Sequence, residues 1–217
     1  MNPGTVVVIA LSAFLVLWYG AGYLYNRRRG EWLFHWLQAG LETLGGESEA
    51  GWLGSPTTGA RVNVLHAAPP FRRLEITLLL ETREVMPLWL VNHLYGRRDR
   101  LIIKSTLRSP RQGEIELLPP HSQTARALRQ EQEQPWTWGA GPRGLALAYR
   151  GTGAEQQVAR LMAWWETYGD CLDRLSWRKA DPHLQLQMRV GKLSARPSRR
   201  FFADLQTAVH GVDVADH

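Results

Sequence analysis

With 217 residues, 44% hydrophobic and 21% charged side chains, ten tryptophans and a formal net charge of +6, the chain has the makeup of a folded basic protein and not of a disordered one. Its single cysteine, Cys171, excludes an internal disulfide framework and any multi-cysteine zinc or iron–sulfur site. A pI near 9.9 admits nucleic acid or an anionic membrane surface as partner, and every basic residue except Lys104, Lys179 and Lys192 is an arginine.

The first element is Val6–Tyr25, VVVIALSAFLVLWYGAGYLY, which holds no charged side chain. At about 1.5 Å of rise per residue it makes roughly 30 Å of helix, the thickness of a bilayer's hydrocarbon core. A cleaved signal peptide would place basic residues before a shorter apolar run, and a buried core helix would carry a polar face. This stretch does neither. A retained membrane-spanning helix is therefore predicted, with 1–26 as the anchor. Arg27, Arg28 and Arg29 follow it at once, whereas Met1–Gly4 has no basic side chain. Lys/Arg bias then predicts a single pass in the inner (cytoplasmic) membrane, with the N-terminus outside and the C-terminal bulk in the cytoplasm. Trp18, Tyr19, Tyr23 and Tyr25 gather toward the arginine end, as an interfacial aromatic belt would.

In Glu31–Leu44 the apolar residues Trp32, Leu33, Trp36, Leu37, Leu41 and Leu44 recur at helical spacing. Two placements are open: on the membrane surface with Trp32 and Trp36 at headgroup level, or packed on the soluble domain. Gly45-Gly46 ends the helix, and 45–59 reads as a linker, so 27–59 is a juxtamembrane segment and 60–217 the cytoplasmic domain. Alternation at Leu74–Leu80, Arg100–Leu107, Glu114–Leu118 and Leu184–Val190 predicts strands, with shorter ones near 62–64, 136–138, 145–149 and 173–178. Pro87 opens a helix that Gly96 stops, and Ser122 caps another reaching about Glu133. Thr152-x-x-Glu155 has capping-box form ahead of a helix with Val158, Leu161, Met162 and Trp165 on one face. A turn at 109–113 and a tail over 212–217 complete the reading.

Strand, helix, strand, strand, helix occurs twice, over 74–134 and 144–210. This predicts an α+β fold of two βαββα-like halves, an antiparallel or mixed sheet with helices on one face. The alternative is a single ferredoxin-like βαββαβ unit over 74–150.

Chemistry-bearing patterns are sparse. The seven histidines show no metal-ligand spacing, so no metal or other cofactor is expected. No G-x-S-x-G, P-loop or dinucleotide fingerprint is present. Cys171, just after a helix C-terminus, reads as a small buried residue. The densest charges are Glu81, Arg83, Glu84 and Asp99, beside Arg97, Arg98 and Arg100. As catalysts these carboxylates would do acid–base work with arginines on phosphate, and as structure they are ion pairs bracketing a helix. The structural reading is preferred. Arg27, Arg28, Arg29, Arg97, Arg98, Arg100, Arg196, Arg199 and Arg200, with Arg108 and Arg111 as a further patch, are candidates for headgroups or an acidic partner. Nothing resembles an RNA-binding aromatic motif, so nucleic acid is disfavoured. The expectation is a membrane-anchored binding or scaffolding module, an accessory subunit beside another membrane protein, with the alternative of a tethered enzyme acting on a phosphorylated or lipid-associated substrate.

Overall fold

The computed structural model describes residues 2–109 and 112–210. Arg111 and the 212–217 tail lie outside the described residues, and so does part of the 109–113 turn. The apolar stretch and the 31–44 segment form one helix, α1 (Pro3–Leu44), of 42 residues. Asn2 caps its start by accepting from the Gly4 amide at 3.1 Å, and Gly45 ends it at a φ of 60°. Asn26–Gly30 does not interrupt it, because arginine is a good helix former and one glycine costs only about 1 kcal/mol.

α1 has two environments. From Val6 to Leu17 its large side chains are exposed, Leu17 by 73%. Beyond that, Asn26, Gly30, Leu33, Leu37, Gly40 and Leu44 are buried, three or four residues apart on one face, and so is Leu41 beside them. Fully burying four leucines is worth of order 6–12 kcal/mol gross, which decides between the two placements of 31–44: this half of α1 is core. Trp36 turns inward too, donating to the Arg196 carbonyl at 2.8 Å and lying beside Phe201 and Phe202.

The strands and helices that follow are β1 (Glu47–Trp52), β2 (Gly59–Leu65), β3 (Phe71–Leu79), α2 (Met86–Leu94), β4 (Arg100–Leu107), β5 (Glu114–Leu118), α3 (Gln123–Gln130), β6 (Thr137–Ala140), β7 (Ala146–Arg150), α4 (Ala154–Tyr168), β8 (Leu172–Trp177), β9 (Leu184–Arg189), α5 (Val190–Leu193) and α6 (Ser198–His210). All nine strands join one antiparallel sheet in the order β1-β2-β3-β4-β9-β8-β5-β7-β6. The α+β expectation holds, but two separate halves do not form. β9 pairs with β4, and β5 inserts between β7 and β8, so strands from both segments interleave in one sheet. The same pairings rule out the ferredoxin-like alternative. The 45–59 linker is also revised: Glu47–Trp52 is a strand, in register from Glu47 opposite Leu65 to Trp52 opposite Ala60.

Alternation sorts the two faces. Val62, Val64, Leu74, Ile76, Leu101, Ile103, Leu184 and Leu186 point into the main core under α1, α4 and α6. On β5, Ile115 and Leu117 face that core, while Leu118 faces a smaller cluster with Ala125, Leu128 and Trp136. The helices therefore do not all share one face, since α3 covers the other at the β5–β7 end. Elsewhere that second face is polar, carrying Glu75, Lys104, Gln185 and Gln187.

Candidate functional site

The sequence-predicted charges meet where α1 enters the domain. β3 releases the chain at Leu79, and it returns to the sheet only at Arg100, after a detour beside α1. Asp99 ends that detour, and its Oδ1 accepts from the Glu81 amide at 2.9 Å, pinning the two ends together. Arg83 fills the space between them. Its guanidinium reaches Asp99 Oδ1 and the Asn26 side-chain oxygen, both at 2.9 Å, and Glu81 Oε2 at 3.1 Å. Asn26 donates in turn to the Glu81 carbonyl at 2.8 Å. Arg29 adds a weaker pair to Asp99 at 3.7 Å, and His93 Nδ1 lies 3.1 Å from Glu81 Oε1. The Glu81 and Asp99 side chains are only 3% and 7% exposed.

Glu81, Arg83 and Asp99 are thus one network, as their density in the chain suggested. Glu84 is not part of it. It lies beside Gly22 of α1, with no ion pair among the described residues. Three members escape sequence reading: Asn26, Arg29 as an inward-facing arginine, and His93. The available signal for Asn26 is its spacing, since Gly22, Asn26 and Gly30 recur every fourth residue. A Cβ on Gly22 would lie 2.5 Å from the Arg83 carbonyl, and one on Gly30 2.0 Å from that of Pro56, so backbone approaches α1 closely at both.

Chemically the arrangement is a clamp. Both carboxylates are buried and engaged by arginine, and a buried ion pair persists only with such hydrogen bonding. His93 is the most exposed member of the network. An imidazole oriented by a carboxylate is a general-base arrangement, yet no Ser, Thr or Cys hydrogen-bonds to it among the described residues.

Next to the clamp is a cleft of about 420 Å³ lined by Arg29, Arg83, Arg98, Arg143, Arg189 and Lys192 against Asp99 and Asp170. Burial alone would raise the Asp170 carboxyl, but the Cys171 thiol and the charges of Arg196 and Lys192 hold it below its ordinary value. Asp170 thus contributes negative charge, and the six basic side chains of the lining outnumber its two carboxylates. A second groove, of about 490 Å³ between α4 and α6, contains Tyr168, whose hydroxyl donates to Asp204 at 2.7 Å. Burial and that bond push the Tyr168 phenol up.

The remaining arginines separate into two groups. Arg27 pairs with Glu31 on the outer side of α1, Arg28 and Arg97 are exposed, Arg98 donates to the His93 carbonyl at 2.9 Å, and Arg100 is 3.9 Å from Asp173. These crowd the end of the sheet nearest the apolar half of α1. Arg196 borders the cleft through its pair with Asp170, whereas Arg199 and Arg200 are elsewhere, paired with Glu42 and Asp204. Arg199 also reaches the Ala39 carbonyl, which is roughly 18 Å along the helix from Arg27. Tyr19 and Tyr23 are exposed and stacked, Tyr25 lies under Arg83, and Trp32 under Arg29. Among the described residues no three His, Cys, Asp or Glu side chains group as a metal cage. No protein-family model matches the chain, and no curated protein matches it in sequence.

Proposed function

We propose that this protein is a single-pass membrane module that holds its α+β domain at the cytoplasmic face of the inner membrane, in a fixed attitude, as a binding or scaffolding subunit. The observation that carries this reading is the division of α1. No residue of its N-terminal apolar window is buried in the protein, whereas the same unbroken helix continues as core from Asn26 onward. An anchor on a flexible linker raises local concentration only; an anchor that is also a core helix sets the domain's orientation as well. The arginines at the near end of the sheet suit an anionic leaflet, each well-placed one contributing about 1 kcal/mol. Orientation follows from the collar at Arg27–Arg29 and the uncharged N-terminus.

The test uses the full-length protein in its native membranes. It should resist extraction by alkaline carbonate, and its domain should be shielded from protease added outside intact cells. Release into the carbonate supernatant ends the anchored reading, and external cleavage between 60 and 210 inverts its topology. Pull-down in mild detergent then asks for a partner, with recovery of a lone monomer counting against the subunit role.

The cationic cleft favours a second reading, recognition of a phosphate-bearing substrate or headgroup beside the Glu81–His93 pair. Pyrophosphate should then perturb the His93 ring resonances in the micelle-bound protein. Unmoved resonances at millimolar ligand would eliminate it.

A further inference from the structure

We infer that α2 is a second membrane contact, bedded in the acyl–headgroup boundary of the leaflet bordered by Arg27–Arg29, alongside α1. The inference rests on α1 being a span, and adds to it an element that lies in the membrane without crossing it. None of the residues of α2 is buried. Val85, Leu88, Leu90, Val91, Leu94 and Tyr95 are all exposed, Leu94 by 77% and Tyr95 by 83%. No Asp, Glu, Lys or Arg occurs between Val85 and Gly96. In water this is a contiguous apolar patch of the kind that marks an interaction site.

Depth identifies the occupant as lipid. The Trp89 ring packs on Trp18, with centroids 5.4 Å apart, and Trp18 Nε1 donates to the Arg83 carbonyl at 3.0 Å. Trp18 precedes Arg27 by nine residues, which is about 13 Å along the helix axis. Any membrane that places Arg27–Arg29 among headgroups therefore carries the Trp89 contact past them to the headgroup–acyl boundary, where interfacial helices lie. The flanking charges agree. Arg97 and Arg98 follow α2 directly, and the Arg83 side chain runs back from its backbone, held against Trp18, to Asn26 and Asp99. Between the two helices a mainly apolar notch of about 320 Å³ is lined by Trp18, Ala21, Gly22, Tyr25 and Trp89, with Arg83 at its edge, and is open to an acyl chain.

The experiment reconstitutes the full-length protein in phosphatidylcholine–phosphatidylglycerol vesicles with nitroxide labels on L88C and L94C. V16C on α1 and E155C on α4 serve as references. Native Cys171 is fully buried, so labelling is confined to the introduced thiols. Collision with oxygen and with an aqueous nickel chelate reports each position. Positions 88 and 94 should resemble 16, favouring oxygen over nickel by several-fold and at shallower depth, while 155 favours nickel. Nickel-accessible 88 and 94 with a deep 16 would overturn the inference and leave the anchor standing. A nickel-accessible 16 would overturn both. Labels at 88 and 94 shielded from both reagents would mean that protein covers α2, which also overturns the inference.

Discussion

Replacing Arg83 by methionine isolates what the buried network contributes. Methionine keeps the aliphatic stem but removes the partner of two carboxylates that are 3% and 7% exposed. Breaking a buried pair by deleting one partner costs about 3–5 kcal/mol. Arg83 is itself 19% exposed, Glu81 keeps His93 and Asp99 keeps Arg29, so the expected loss is nearer 2–3 kcal/mol. For a domain of this size that lowers the melting temperature by about 5–10 °C. The assay is thermal unfolding of the full-length protein in micelles, followed by near-ultraviolet circular dichroism. The triple variant R83M/E81Q/D99N, which removes the stranded charges as well, should recover most of the loss. A shift below about 1 °C for R83M alone, or a triple variant as unstable as the single, would refute the assignment of this network to buried electrostatics.

Three further outcomes follow from individual contacts. G30A should destabilise by about 1–3 kcal/mol, because its Cβ meets the Pro56 carbonyl at 2.0 Å, whereas G20A, with nothing within 4 Å, should be neutral or stabilising by up to about 1 kcal/mol; parallel melts compare them. Burial, with the Asp170 hydrogen bond and charge adding to it, pushes the Cys171 thiol up from 9.0 to about 12. The folded state keeps a proton that the unfolded chain releases, so this contribution is complete below pH 9 and lost as pH climbs toward 12. C171A should flatten the decline in melting temperature across that window, and an unchanged slope would contradict it. Replacing Arg97 and Arg98 by glutamine should weaken capture of micelle-extracted protein by anionic but not zwitterionic vesicles, by up to about tenfold at low salt, as measured by flotation.

Much of this architecture is legible in the chain, for local reasons. The uncharged run of Val6–Tyr25, the alternation of Leu74–Leu80 and Leu184–Met188, and the stops at Gly45 and Gly96 each express a preference contained within about a dozen residues. What escaped depends on distant partners. Glu47–Trp52 has the composition of a linker and becomes a strand only because β2 offers it a ladder. The β4–β9 and β5–β8 pairings join residues some 60 to 90 apart, which no window reports, and they turn two apparent halves into one sheet. Arg27, Arg28 and Arg29 look alike in sequence, yet helical phase sends Arg29 inward to Asp99 and leaves Arg28 outside. The clustering of Glu81, Arg83 and Asp99 was visible in the chain, and its meeting with Asn26 was not.

The chemistry at this junction answers a backbone problem. When the chain leaves β3 and climbs beside α1, residues 81–83 lose the ladder that would satisfy their amides and carbonyls. They do so close to the boundary where lipid, under the proposed reading, would replace water as their neighbour. Three of those groups find a side chain: the Glu81 amide has Asp99, the Glu81 carbonyl has Asn26, and the Arg83 carbonyl has the Trp18 indole. Two of those three side chains belong to α1 and sit two turns apart on it, so the helix is the template along which the loop rises. Arg83 then neutralises the carboxylates that this solution buries. Glu81 and Asp99, the best acid–base candidates in the sequence, are engaged by geometry in carrying the chain from β3 to α2, and this is why the proposed membrane reading and the catalytic reading compete for the same residues.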